Sequence, residues 1–573
     1  MENNLFIQIS ALLAVTVSIA FIIRFLKQPL LVSYMIAGIV CGPLFFNLLS
    51  GEAHLYEAFS NFGVVLLLFI VGLELNFSYL KKIGRTSLTI GIFQFILNFS
   101  LIFLVSFYYL NLSLAGTIFL ALASCFSSTI VILKLLNDKR EEESVYGRYT
   151  IGLMLIQDIV SIAILFCLSV FYSSASSTLG LDSLFKIIAI IILILLSYKF
   201  VLPKVLDKIA SSGEFLFIFT VTWCFGVASL MVWSGLSIEL GAIIAGLTLG
   251  TSKYQPEIIS RIKPLRDFFI VIFFIILGSM ADFRDIHSVL IPALILALFV
   301  IVIKPIILYI VFRTMRFTRR NSFFPALTSV PLSEFGFIIL LAAMKSNYIQ
   351  GSELSIFTIA TISTIFISSY LISYNSQLYN FLAPVFKLLG RDKYIQIEDK
   401  KESFEALVFG YHRTGWKIGN ALKDIGISFA AVDFNPENLT RLNDHDIKAF
   451  FGDVADVEFL KALPLEKTTI IISTVHSPED QLVLLNYLKS KKKKKKMTII
   501  CTLYNKKYLD KLYKAGADYV MLPHLLSGTW MSGLISKGAL SHKRTLQKLR
   551  KVQVHELEGS LDHHKIHKIV NFS

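Results

Sequence analysis

The chain has 573 residues, 55% hydrophobic and 17% charged, with 48 phenylalanines. Soluble globular chains carry roughly 25% charged residues, so this composition excludes an ordinary soluble multidomain protein and implies a lipid membrane as the main surrounding. The net charge of +15 does not call for nucleic acid, because membrane topology itself demands basic cytoplasmic loops.

Residues 1–390 hold 25 Lys/Arg and 19 Asp/Glu, against 30 and 21 in residues 391–573. Charge density therefore rises from about 11% to about 28% near residue 390, where a soluble domain begins. The five cysteines, Cys41, Cys125, Cys167, Cys224 and Cys501, form no CxxC pair, which indicates neither a metal site nor an oxidising compartment. The first apolar segment lacks a basic leader and a cleavage site and reads as a helix that stays.

A membrane-spanning helix needs about 20 largely apolar residues. Thirteen such segments are predicted, near 5–26, 30–48, 57–76, 86–108, 113–136, 149–172, 184–203, 215–233, 237–250, 266–281, 288–312, 322–344 and 353–376. Alternate loops on one side carry 20 Lys/Arg, from Arg24 and Lys27 to Arg319 and Arg320; the other side has Arg284 and Lys345, with Lys186 at a helix edge. This asymmetry predicts an outside N-terminus and a cytoplasmic tail.

Ionised side chains inside a span are costly and mark function. Asp158, Glu214, Glu239, Lys304 and Glu334 qualify. Asp158, beside Gln157 in an apolar sixth span, is expected to exchange a proton for a cation; the structural alternative pairs it permanently with a base, for which Lys304 is the candidate. Lys304 reads equally as a helix-packing tether. Glu214 reads as a helix cap, Glu239 as a cap or gate residue and Glu74 as an interfacial anchor. The fifth span contains Ser124-Cys-Phe-Ser127-Ser128-Thr129 and the twelfth Pro331-Leu-Ser333-Glu334-Phe335-Gly336. Paired interruptions in two halves point to a transporter's midplane site, built from broken helices.

The tail alternates strands, at 405–410, 429–433, 448–451, 469–473, 498–502 and 519–522, with helical stretches. This is the pattern of a doubly wound Rossmann-like α/β domain. Its first strand ends in Gly410-Tyr-His412-Arg413-Thr414-Gly415, and Asp433 closes the second in the place of a ribose-binding acid, followed by Phe434. Gly452-Asp453 follows the third. The middle glycine of the fingerprint is His412, which makes a mononucleotide such as AMP at least as fitting as NAD(H). Lys491–Lys496 reads as a solvated loop, and His563, His564 and His567 sit in a basic tail without a metal framework. The expected domains are thus a transmembrane domain over 1–376, a linker over 377–402, a nucleotide-binding domain over 403–540 and a basic, disordered tail over 541–573.

On Gly72-Leu-Glu74, Ser127-Ser128-Thr129, Gln157-Asp158, Gly235-Leu-Ser237, Gly241 to Gly246, Phe273-Phe274 to Gly278 and Ser333-Glu334-Phe335, the chain resembles the Kef-type monovalent cation:proton antiporters, with a C-terminal RCK N domain. The resemblance implies a polytopic α-helical membrane protein with about 13 transmembrane helices, inverted repeats and two broken helices, working as a homodimer in a bacterial inner membrane. It implies electroneutral K+/H+ exchange at Asp158 with Gln157, Thr129, Ser128 and Ser127 around the ion, and Lys304, Glu334 and Ser333 supporting the core. It further implies elevator-like movement, regulation by an adenine nucleotide, and an ancillary protein of the kind family members often carry. Some Gln-Asp members handle Na+ instead. The acidic inhibitory loop of glutathione-gated members is replaced by Ile259, Arg261 and Lys263 in Tyr254–Pro264, which argues against that gating. A nucleotide-gated channel is disfavoured by the lack of a filter-like repeat. An enzyme is disfavoured because the tail has no room for a substrate domain.

Overall fold

The computed structural model describes residues 5–43, 45–46, 53–74, 77–110, 112–139, 145–176, 181–280, 286–315, 317–388, 403–411, 414–433, 442, 447–452, 454–455, 457–492, 497–504, 506–536, 546–547 and 550–551. The chain divides into two compact units near Gly390.

Among its described residues the first unit is built of helices. Its helices are α1 Leu5–Phe25, α2 Leu30–Cys41, α3 Ala53–Glu74, α4 Phe77–Tyr109, α5 Leu114–Cys125, α6 Thr129–Lys139, α7 Val145–Ser176, α8 Leu181–Leu196, α9 Leu202–Ile209, α10 Gly213–Trp233, α11 Ile238–Gly250, α12 Gln255–Ser279, α13 Ile286–Thr314, α14 Arg319–Thr328, α15 Glu334–Lys345, α16 Gly351–Ser373 and α17 Asn375–Leu388. Among the described residues seven helices are long and apolar enough to cross a membrane, and four shorter ones are apolar. Among the described residues each predicted span overlaps one helix or a broken pair. The fifth divides into α5 and α6 and the twelfth into α14 and α15, whereas the seventh stays one continuous helix, α8 running into α9 through a π turn at Ser197–Val201.

Two expectations are corrected. The loop expected at Tyr254–Pro264 is helical from Gln255, because Pro256 falls in the first turn, where no amide donor is needed, and Glu257 bonds Arg261 one turn on. The linker expected from 377 begins as α17, which packs Leu378, Tyr379 and Leu382 onto the core at helical spacing.

Several motif glycines are packing devices. A Cβ on Gly72 would strike the Ile243 carbonyl, and one on Gly246 the Phe69 carbonyl, so α3 and α11 meet backbone to backbone. Such close approach replaces the missing hydrophobic drive between helices in lipid.

Among the described residues the C-terminal unit holds six parallel strands: β1 Ala406–Phe409, β2 Phe429–Asp433, β3 Ala449–Phe451, β4 Ile470–Ser473, β5 Thr498–Thr502 and β6 Tyr519–Met521. Their order is β3-β2-β1-β4-β5-β6, with Ala406 level with Phe429 on one side and Ile470 on the other. All four β1 residues are buried, as a central parallel strand covered on both faces requires. The order reverses between β1 and β4, the place where open α/β sheets bind ligands. Most of 541–573, including His563, His564 and His567, and Lys493–Lys496 of the lysine run lie outside the described residues.

Candidate functional site

α5 ends at Cys125 because Phe126 turns to extended backbone (φ −82°, ψ 150°). In the other half, α14 ends at Thr328, and Ser333 (φ −96°, ψ 150°) caps α15 by accepting from the Phe335 amide. The two unwound segments cross and pair. Ser127 and Leu332 form an antiparallel bridge, Ser128 N donates to Pro331 O at 3.0 Å, and Ser127 Oγ donates to Ser329 O at 3.0 Å. Backbone groups that a continuous helix would satisfy internally are thus satisfied across the crossing, the condition for irregular backbone at membrane depth.

Side chains from α7 and the unwound segments converge here. Asp158 is buried, with 6% of its surface exposed, and Thr129 Oγ1 donates to its Oδ1 at 3.3 Å. Gln157 Oε1 accepts from Ser127 N at 2.9 Å, so the neighbour of the acid holds the unwound strand. Ser128 Oγ donates to Glu334 Oε2 at 3.0 Å, and Ser333 Oγ lies 3.4 Å from the same oxygen. Consecutive hydroxyls at 128 and 129 therefore serve two buried carboxylates on different helices. Glu334 opens α15, where a negative charge meets the positive end of the helix dipole.

Lys304 is fully buried on α13. Among the described residues it makes no ion pair with Asp158; its ammonium donates to Phe126 O at 2.9 Å and Ser124 O at 3.2 Å. It caps the carbonyl end of α5, where a cation meets the negative end of the dipole. The pairing suggested by charge alone is corrected by position: the free carbonyls of a broken helix lie nearer than the carboxylate. Glu214 and Glu239 both sit in first turns, behind the N-caps Ser212 and Ser237.

Sequence reasoning overlooked three buried polar residues. Gln94 and Asn98 on α4 lie in an apolar run, and their signal was their four-residue spacing, which sets both on one face. Glu353, 4% exposed, lies against Gly116 near the start of α5.

In the C-terminal unit, Gly410 leaves β1 at φ +83°, a left-handed conformation that favours glycine. A Cβ on Gly415 would strike the Gly410 carbonyl, so helix α18 (Thr414–Asp424) approaches the strand as the fingerprint's last glycine allows. Asp433 Oδ2 accepts from Tyr411 N at 2.9 Å, bringing the acid onto the turn after β1. Gly452 N donates to Asp433 O at 3.1 Å. Thr474, after β4 and unforeseen, donates through Oγ1 to Gly410 O at 2.7 Å. His412, Arg413, Phe434 and Asp453 lie outside the described residues.

Residues 11–374 match the family described as sodium/hydrogen exchanger, transmembrane, and residues 406–523 match the TrkA-N domain. Among curated proteins, the chain is similar to the glutathione-regulated potassium-efflux system protein KefC of Escherichia coli (strain K12 / MC4100 / BW2952), 26% identical over 80% of this chain and 73% of that one. Among solved structures, similarity extends to the sodium proton antiporter MjNhaP1 of Methanocaldococcus jannaschii, 19% identical with a TM-score of 0.48 over 68% of this chain and all of that one. The TrkA-N domain of the inner membrane protein ybaL of Escherichia coli is 20% identical, with a TM-score of 0.22, over 23% of this chain and 98% of that one.

Proposed function

Since the chain belongs to the sodium/hydrogen exchanger family, as a Kef-type cation:proton antiporter with a TrkA-N regulatory domain, we propose that it exchanges K+ for H+ one for one at Asp158. The observation that carries this reading is the buried Asp158 carboxylate, held by Thr129 beside the crossing of two broken helices.

A single carboxylate takes either a proton or one monovalent cation, and in both states the site is close to neutral. A bare carboxylate is expensive to carry past an apolar barrier, so the empty, deprotonated core does not move and the two fluxes are coupled. Gln157, where a second acid would add charge, supports one-for-one, electroneutral exchange. Thr129, Ser128 and Ser127 offer oxygens for the cation's shell, and K+ accepts neutral oxygen ligands well. Lys304, Ser333 and Glu334 keep the half-helix ends charge-balanced as the core moves in an elevator-like step. The relative named as a potassium-efflux protein supports K+ over Na+; the family description supports Na+ as the second reading.

The protein works as a transporter and not an enzyme, as a homodimer in a bacterial inner membrane with its N-terminus outside, joined by an ancillary protein. The lopsided basic loops support that orientation. An adenine nucleotide, AMP or NAD(H), binds over Gly410, Thr414, Gly415, Asp433 and Gly452 and sets the exchange rate. His412 and Arg413, and Phe434 and Asp453, complete that site from the sequence.

The test is dissipation of a pH gradient in proteoliposomes on adding K+ or Na+, with Asp158→Asn alongside. K+-driven dissipation that the mutant lacks is the expected outcome; a mutant as active as wild type would show that Asp158 is structural.

A further inference from the structure

Asn98 is fully buried in α4, and neither its Oδ1 nor its Nδ2 has a partner. Because both amide atoms are unengaged, this holds whichever way the amide is turned. One turn away on the same face, Gln94 is 1% exposed; its Oε1 accepts from Gln157 Nε2 at 3.5 Å, while its own Nε2 is unpartnered. This face is turned towards α7, since a Cβ on Gly91 would meet Ile156 at 2.8 Å. Two turns beyond Asn98, Ser106 is also fully buried with an unpartnered hydroxyl.

Buried amides in native proteins are hydrogen-bonded, and inside a membrane protein the pressure to satisfy them is higher still. A packing role would be filled better by leucine of similar volume. An amide with both ends empty, on the face that reaches the neighbour of the ion-binding carboxylate, is a group waiting for a guest. The guest that fits is a partly dehydrated monovalent cation, because amide oxygens substitute for lost hydration water. Resting on the antiport reading above, we infer that Asn98 is a further cation ligand: it receives the ion along the Gln94–Asn98–Ser106 face of α4 before the ion settles at Asp158. Ser106 and Gln94 line the same path on either side.

The test compares wild type, Asn98→Leu and Asn98→Ser in proteoliposomes, reading the KM for K+, the K+/Na+ rate ratio and the melting temperature. The expected result is a KM raised about tenfold in Asn98→Leu at unchanged or higher melting temperature, with Asn98→Ser, which keeps an oxygen, within about threefold of wild type. A KM and ion ratio unmoved in Asn98→Leu overturns the inference, and a lowered melting temperature alongside them means that Asn98 holds a structural water only. Where Asn98→Leu does not fold, Asn98→Ala replaces it: a KM equal to that of Asn98→Ser overturns the inference. K+-dependent thermal stabilisation separates the two readings. Wild type stabilised by K+ but inactive in exchange refutes antiport alone, while stabilisation retained in Asn98→Leu (or Asn98→Ala) refutes Asn98 as a ligand.

Discussion

Lys304 and Phe126, on different helices, are joined by a 2.9 Å hydrogen bond from a fully buried ammonium to a main-chain carbonyl. That contact fixes the cation at the end of α5 and separates its role from that of the acid at Asp158.

Lys304→Met removes both donors and leaves the carbonyls of Ser124 and Phe126 buried and unpaired. A stability loss of about 2–5 kcal/mol is expected, since each orphaned buried group costs its desolvation. Lys304→Gln, which keeps a donor, loses less. Thermal unfolding in detergent checks the order; equal losses would mean that charge alone matters.

Gly336 faces the other broken helix so closely that a Cβ would lie 2.7 Å from Ala123 O and collide with the Phe357 ring. Gly336→Ala therefore pushes α15 away from α5 and lowers exchange at least tenfold, or lowers stability by about 1–3 kcal/mol. Phe357→Leu in the same chain relieves the ring but not the carbonyl, so rescue is partial. Full rescue would place the strain in the ring only.

Gln157→Leu removes the acceptor for Ser127 N, leaving a buried amide unpaired in the unwound strand. Slower exchange and a destabilisation of about 1–3 kcal/mol are expected. Gln157→Glu restores an acceptor and adds a charge, so current should accompany exchange. Electroneutral exchange in this variant, measured in voltage-clamped vesicles, would remove Gln157 from the stoichiometry argument.

Burial pushes the Cys501 thiol and the Tyr411 phenol each up to about 12. Both groups are favoured in their protonated form by the fold. Their contribution is fully present below the unfolded values, about 9 and 10, and is lost as pH rises from there through about 12. The C-terminal unit should therefore loosen at alkaline pH, with Cys501 resisting alkylation at pH 8. Labelling at pH 8 at the rate of an unfolded thiol, seen by mass spectrometry of the full chain, would contradict this.

Asp433→Ala frees the turn at Tyr411 and removes the acid at the end of β2. Loss of nucleotide-dependent modulation is expected, with exchange in the absence of nucleotide unchanged. An unaltered response to both AMP and NADH would move the ligand elsewhere.

The span positions were legible because lipid imposes length and apolarity on every crossing helix, and the strands because a buried parallel sheet demands short apolar runs. The interruptions at Ser127 and Ser333 were legible as hydroxyl and proline punctuation. Their mutual pairing was not, since no local signal says which distant main chain will answer a free amide. The partner of Lys304 was misjudged for the same reason: charge is written in the sequence, whereas an exposed carbonyl is not. Asn98 was hidden because its four-residue spacing from Gln94 says that the two amides share a face of an apolar helix, and not that the face is buried.

The link between Ser128 N and Pro331 O has an evolutionary corollary. Because it runs through main chain, it constrains backbone chemistry and not side-chain identity. Proline suits position 331, which gives a carbonyl there, and is forbidden at 127 and 128, whose amides are both spoken for. The places open to an imino acid at this junction are set by the direction of two hydrogen bonds.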